Sequence, residues 1–238
     1  MNLYQSIIEP VISLFLPALC IHCHSPLPSG RKAICPACYA ELLPVEPAQI
    51  SRFKQKIKRP HYDDLHILFQ FDPLFQELVH LLKYQRFLAI GACFGHSLAK
   101  RLCATRYDYI TAVPLNAVRF RERGYNQSDV IAKSCAEKLD LEFKPDILRR
   151  VRNTKSQTRL NRGQRIENVA RAFIINTKVQ GKNILIIDDV ITTGSTLNEC
   201  ANILKNEAAG RVDIAAIATP TSLLQMDLEY EQDNLKIQ

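Results

Sequence analysis

The chain contains no tryptophan, and aromatic residues make up only 8% of its 238 residues. No cluster of aromatic side chains is evident along the sequence, which argues against a surface that binds nucleic acid by stacking its bases. The sequence also shows no Ser/His/Asp set and no paired general acids of the kind that hydrolases use. Apart from two C-x-x-C pairs, no segment repeats.

A membrane span and a secretion signal are also lacking. The most apolar N-terminal segment, Leu3 to Leu19, contains Glu9, Pro10 and Pro17, and it has neither a basic start nor an A-x-A-like cleavage site. We therefore expect a short amphipathic helix within residues 1–19 and no integral membrane segment. We also expect a cytoplasmic protein whose cysteines are reduced.

Basic residues outnumber acidic ones, 31 to 24, which gives a formal charge of +7. This balance favours an anionic partner but says nothing about the fold. The length predicts one sizeable domain and a smaller module.

Cys20, Cys23, Cys35 and Cys38 form two C-x-x-C pairs, a pattern typical of a structural zinc site in which four thiolates complete a tetrahedral shell. Two disulfides, or a redox-active pair, are the alternatives. His22 and His24 are rival ligands, although each is better explained as a surface side chain.

A buried strand is indicated by the run Ile184 to Ile187, which Asp188 and Asp189 follow. A turn of small residues then leads into a segment with helical spacing of apolar residues. Free N–H groups at such a helix start form a phosphate-binding cradle. The two carboxylates stand where they can accept hydrogen bonds from vicinal ribose hydroxyls or face a metal-chelated pyrophosphate. The alternative is an ordinary capped helix that follows two solvated acids.

This run resembles the phosphoribosyl pyrophosphate (PRPP) motif of type I phosphoribosyltransferases, D-D-x-x-T-T-G-x-T. The resemblance implies that Asp188 and Asp189 are the catalytic pair, which organises Mg²⁺. The PRPP-binding residues that it implies are Asp188, Asp189, Val190, Thr192, Thr193, Gly194, Ser195, Thr196, Pro114, Leu115, Arg119 and Arg123.

Most of the chain is also similar to the ComF family of competence proteins. Its segment Pro114-Leu115, Arg119 and Arg123-Gly124-Tyr125-Asn126-Gln127 matches a family pattern, with Ala112 in place of a proline. A second pattern is met between Leu148 and Val169. The resemblance implies handling of incoming single-stranded DNA during natural transformation, beside a helicase partner.

Strands at 109–113, 184–188 and 212–218 alternate with helices, which predicts an α/β fold with a mostly parallel sheet and helices on both faces. The ligand should lie at the carboxyl ends of the strands, where the strand order switches. We expect an N-terminal helix and zinc module over 1–43, a basic linker over 44–62, a phosphoribosyltransferase-like domain over 63–220 and a polar tail over 221–238. A strand at 66–71 is assigned to a hood over the site.

Two basic segments are candidates for nucleic-acid contacts, and a solvated tether or loop is the alternative for each. The first lies in the linker and the second in a loop at 149–171 that we expect to be mobile over the site. The candidates are Lys54, Lys56, Lys58, Arg59, Arg152, Lys155, Arg159 and Arg162. Lys83 is a weak candidate for contact with PRPP, because a solvated helix end explains it better.

Three functions remain open from the sequence. The chain is a phosphoribosyltransferase that releases pyrophosphate, or a DNA-binding protein with a vestigial or sensory PRPP site, or a scaffold that docks a partner. The acceptor substrate is not identified by any motif.

Overall fold

The computed structural model describes residues 18–27, 33–102, 107–151 and 172–225. Nearly all of the N-terminal helix predicted over 1–19 lies outside these residues, as do most of the loop predicted over 149–171 and residues 226–238 of the predicted tail. The chain forms two compact units, Met1–Leu43 and Pro44–Gln238.

The first unit contains helix α1 (Pro36–Glu41) and an isolated antiparallel bridge between Leu19 and Pro26. Cys35 caps the helix, because its side chain accepts a hydrogen bond from the backbone N–H of Cys38. This cap brings Cys35 and Cys38 together in the first turn of α1.

The segment interpreted as a basic linker, 44–62, instead contains helix α2 (Pro47–Gln55). Three apolar side chains of segment 44–62 belong to the hydrophobic core of the second unit, namely Val45, Phe53 and Ile57. The basic residues around them made this segment resemble a solvated linker. Burial of apolar surface holds this segment on the domain, so the domain begins before residue 63.

The second unit is built on a five-stranded parallel sheet with the strand order β1-β7-β6-β2-β3. These strands are β1 (Asp64–Phe71), β2 (Tyr109–Ala112), β3 (Glu142–Phe143), β6 (Ile184–Val190) and β7 (Val212–Pro220). Two further strands, β4 (Leu148–Arg150) and β5 (Phe173–Ile175), form an antiparallel pair. The assignment of residues 66–71 to a hood was wrong, because β1 pairs with β7 along the edge of the central sheet.

The remaining helices in the described residues are α3 (Pro73–Tyr84), α4 (Leu88–Leu102), α5 (Ala117–Arg123), α6 (Gln127–Leu139), α7 (Ser195–Asn206) and α8 (Thr221–Gln225). Ile184 and Ile186 of β6 share a core cluster with Leu197 and Leu204 of α7. Alternate residues of a strand point to opposite faces, so Leu185 and Ile187 face the other side, where α6 packs. The predicted parallel α/β sheet with helices on both faces is confirmed.

The strand order reverses between β2 and β6. From β2 the chain continues to β3 on one side, whereas β6 lies on the other side of β2 and leads to β7. The carboxyl ends of β2 and β6 are joined by a hydrogen bond from Val113 N to Ile187 O, 2.9 Å long. A crevice at such a reversal is the usual ligand site of a parallel α/β sheet. Among the described helices, none has the length and apolar character needed to span a bilayer.

Candidate functional site

Two carboxylates occupy the carboxyl end of β6, beside the crevice. Asp188 is half-buried, and its Oδ1 atom accepts hydrogen bonds from Ser128 Oγ and from the backbone N–H of Asp189, each 2.9 Å long. Burial, and then the charge of Asp189, raise the pKa of Asp188 to about 8. Asp188 is therefore poised to hold a proton near neutral pH until a cation or a hydrogen-bond donor arrives.

Asp189 is buried and forms an ion pair with Lys83 at the end of α3. Burial by itself would raise the pKa of Asp189, but the ammonium group of Lys83 outweighs it and holds the pKa below its usual range. Gln127 Nε2 lies 3.4 Å from Asp189 Oδ1. The ammonium group of Lys83 thus compensates the charge of the acid pair at Asp189.

Arg123 approaches this pair through Gln127. Its Nη1 atom donates a hydrogen bond of 2.7 Å to Gln127 Oε1, and its guanidinium lies 5.2 Å from the centre of the Tyr84 ring. Asn126 fixes the start of α6 to the end of β2, because its Nδ2 donates to Val113 O at 3.1 Å. The guanidinium of Arg123 is therefore linked to the carboxylate of Asp189 through Gln127 and not by a direct contact.

The turn after β6 has the geometry of an anion site. Gly194 adopts φ +75°, and a Cβ atom there would lie 2.6 Å from Ile57 Cδ1, so only glycine fits. The N-cap residue of α7 is Gly194, which has no side chain to cap the helix, and Thr193 Oγ1 accepts a weak hydrogen bond of 3.4 Å from the N–H of Ser195. The positive end of the helix dipole therefore lies at the turn, where the hydroxyls of Thr193 and Ser195 are 2.8 Å apart.

The structure brings most of the predicted PRPP residues to one edge of the sheet. Val190 ends β6, the turn Thr192–Thr196 leads into α7, and Pro114 and Leu115 follow β2. Arg119 is different, because its exposed side chain pairs with Glu122 on the same helix at 3.0 Å. The geometry therefore includes Arg123 in the neighbourhood of the acids and leaves Arg119 on the surface.

Among the basic candidates for nucleic-acid contacts, some make contacts within the domain and others are exposed. Lys54 forms an ion pair with Asp64, and Lys56 Nζ donates to Leu223 O at 2.9 Å, so both make contacts within the domain. Lys58 and Arg59 are exposed. Arg152, Lys155, Arg159 and Arg162 lie outside the described residues.

The four cysteines of the first unit form a cluster that could hold a metal ion such as zinc. The Sγ atoms of Cys20, Cys23, Cys35 and Cys38 all lie within 4.8 Å of one another. Those of Cys23 and Cys35 are 3.6 Å apart, close to the edge of about 3.8 Å that four Zn–S bonds of about 2.3 Å require. The backbone N–H of Cys35 also points to Cys20 Sγ at 3.4 Å.

Lys83, Gln127 and Ser128 are the residues that sequence reasoning undervalued. The interpretation of Lys83 as a solvated helix end was wrong, because its side chain is only 20% exposed and its ammonium group pairs with Asp189. Gln127 and Ser128 begin α6 and are buried against the acids. Their polar character directly after the Gly-Tyr-Asn segment was the available signal.

The chain is similar to a family model and to several known proteins. The family model named "Phosphoribosyl transferase domain" matches residues 125–238. The DNA utilization protein YhgH of Salmonella typhimurium is 31% identical over 219 residues, which cover 84% of this chain and 96% of the relative. Competence protein F of Haemophilus influenzae is 26% identical with the same coverage. This chain belongs to the ComF family.

Among solved structures, this ComF-family chain is similar to a purine phosphoribosyltransferase from Pyrococcus horikoshii. The two are 18% identical, the match covers 55% of this chain and 73% of the other, and the TM-score is 0.36.

We expect the substitution Lys83→Met to lower the free energy of unfolding by about 1–3 kcal/mol at pH 7, because it leaves the buried Asp189 carboxylate without its cation. The folded-state pKa of Asp189 is depressed, so the stability from this pair is present above the unfolded pKa of about 3.9 and is lost as pH falls through the folded value. The difference from the wild type should therefore shrink below about pH 4.

Urea unfolding at several pH values measures this difference. Lys133→Met is the matched control, because Lys133 is 66% exposed and lies 4.0 Å from Glu137. Equal losses in the two variants, or a loss independent of pH, would contradict the role given to the Lys83–Asp189 pair.

Proposed function

We propose that the crevice between β2 and β6 binds PRPP together with Mg²⁺. The observation that supports this is that two kinds of ligand-binding group lie at the carboxyl end of β6. A carboxylate pair stands on β6, and an uncapped helix start with a glycine turn follows it within five residues. A sugar that carries phosphates and hydroxyls matches both groups.

In this proposal each group has a separate task. The turn Thr192–Thr196 binds the 5′-phosphate through backbone N–H groups and hydroxyls, which fixes the sugar before any bond breaks. Asp188 and Asp189 hold the ribose hydroxyls and organise Mg²⁺ through water. Carboxylate oxygens are the ligands that this ion prefers, so the residues present fit it. Bound Mg²⁺ would neutralise the charge of a departing pyrophosphate.

Transfer of the phosphoribosyl group would break the bond between the anomeric carbon and the pyrophosphate oxygen, and the pyrophosphate would leave with the electron pair. A nucleophilic acceptor would donate the electron pair of the new bond to the same carbon. Positive charge then develops on the sugar ring, as in glycoside cleavage. Asp188 and Asp189 would lie beside that charge and stabilise it. Arg123 would reach the leaving group only after a change in its contact with Gln127.

The double substitution Asp188→Asn and Asp189→Asn should weaken PRPP binding in the presence of Mg²⁺ at least about a hundredfold, because both carboxyl groups lose their contacts with the ribose hydroxyls and with the water bound to Mg²⁺. Isothermal titration calorimetry measures this. Binding of inorganic phosphate to the turn should survive, which shows that the variant is folded. Glu137→Gln with Asp146→Asn, two exposed acids, is the control.

Unchanged affinity for PRPP in the acidic double variant would contradict the site. Unimpaired transformation by that variant would instead favour a scaffold that docks a partner without using the crevice. Release of pyrophosphate from PRPP would show turnover, and binding without release would favour a sensory site.

We also propose that the four cysteines bind a structural zinc ion. Their spacing within 4.8 Å and the free thiols of all four support zinc over disulfides. A module of this size can bury little apolar surface, so the metal would supply much of its folding energy.

Cys35→Ser should reduce the zinc content from about one ion per chain to near zero, because three thiolates and a hydroxyl do not complete the shell. Elemental analysis of the purified protein measures this. Cys93→Ser, outside the cluster, should retain the zinc. Retention of zinc by the Cys35→Ser variant would rule out this four-cysteine site.

We further propose that the protein handles incoming single-stranded DNA in the cytoplasm, supporting natural transformation. The relatives named for DNA utilization and competence support this, together with the net charge and the exposed pair Lys58 and Arg59.

If both side chains contact phosphates, Lys58→Gln with Arg59→Gln should flatten the plot of log affinity against log salt by about 1.4, since each contact contributes about 0.7 for a single strand. Titration of labelled oligothymidine at several salt concentrations measures the slope. Lys133→Gln with Lys138→Gln, on α6, is the control for charge alone. An unchanged slope would place the DNA contacts elsewhere.

A further inference from the structure

Helix α5 has no buried residue. It exposes Val118 by 41% and Phe120 by 49%, although apolar side chains of this size usually find cover in a folded domain. The helix also carries three arginines against one glutamate, and Arg119 and Arg121, the sequence neighbours of Phe120, are exposed. The described part of the chain therefore leaves an apolar and positively charged helix uncovered.

A second exposed segment lies next to it, at the turn from α3 to α4. Tyr84 is 57% exposed and Phe87 is 43% exposed. The guanidinium of Arg123, on α5, lies 5.2 Å from the centre of the Tyr84 ring, and that of Arg86 lies 5.7 Å from the centre of the Tyr125 ring. These two contacts place residues 84–88 and 118–125 side by side, and we call them together the arginine–aromatic surface.

We propose that the arginine–aromatic surface binds single-stranded nucleic acid by stacking unpaired bases on Phe120 and Phe87, whereas the Tyr84 ring already packs against Arg123 and His80. The proposal rests on the DNA-binding part of the proposed function and gives it a location. Exposed rings offer π-faces to any base, and neighbouring guanidinium groups attract the phosphates that link the bases. Charge complementarity favours this occupant over an apolar protein partner, because α5 carries three arginines and only one glutamate.

The surface requires unpaired bases, because the bases of a duplex are already stacked and present only their edges. A single strand can turn successive bases onto rings from two segments of the chain. Tyr84 follows Lys83 in sequence and lies beside Arg123 in space. The bound nucleic acid would therefore lie near the crevice between β2 and β6 without entering it.

Substitution Phe120→Trp gives a direct test, since the chain has no other tryptophan. Stacking of a base on the new indole should quench its fluorescence when oligothymidine is added at low salt. An abasic oligonucleotide of the same length and charge should leave the fluorescence nearly unchanged. A duplex of the same length should compete poorly.

Affinity measurements complete the test. Phe120→Ala and Phe120→Leu should each weaken oligothymidine binding roughly fivefold or more, whereas Phe120→Trp should bind as the wild type does, because a stacked base is retained only where the ring is retained. Ile174→Ala is the control, since Ile174 is 40% exposed on β5. All three Phe120 variants should bind PRPP as the wild type does.

The outcomes separate this proposal from the one on which it rests. Wild-type oligothymidine binding that Phe120→Ala and Phe120→Leu leave intact, with an unquenched Phe120→Trp, would overturn the surface and leave DNA binding in place. Equal quenching by the abasic strand would overturn base stacking in favour of phosphate contacts alone. Failure of the wild type to bind any oligonucleotide at low salt would overturn both proposals.

Discussion

The ion pair between Lys83 and Asp189 is the contact on which the electrostatics of the candidate site depend. Two adjacent carboxylates at a buried strand end would repel each other, and removing them from water is costly unless charge is compensated. Lys83 compensates one of them from the end of α3, and burial keeps the other close to protonated near neutral pH. In the proposed function, a ligand that brings a divalent cation would compete with this internal ammonium group.

Steric closure of the turn is the second constraint. Gly194 packs against Ile57, which belongs to the segment before β1, so the wall of the turn is made by a distant part of the chain. A side chain at residue 194 would collide with Ile57 and would strain a backbone held at φ +75°. The segment 44–62 thus takes part in forming the site, although its composition is that of a solvated tether.

Local patterns along the chain predicted a large part of the fold. The apolar run of β6, the acids after it and the helical spacing beyond Gly194 are continuous in sequence, so their order gives strand, turn and helix without any tertiary information. The strand β1 was predicted near its observed position but assigned to a hood, and α2 was interpreted as part of a linker. Whether a strand joins the central sheet or a hood depends on its pairing partner, here β7, and a short strand carries no signal of that choice. In α2 the charged residues outnumber the buried ones, so the basic pattern masked a helix that the core holds in place.

The sequence by itself determined the chemistry of the site: two acids before a glycine turn, four cysteines in two close pairs and a family relationship that the comparisons confirmed. Residues close in sequence must be close in space, which is why such motifs can be recognised directly. Only the tertiary structure decided that Lys83 neutralises Asp189, that Arg119 is exposed and that Tyr84 lies beside Arg123 of α5. These relations join residues far apart in the chain, and they arise from how the helices pack on the sheet.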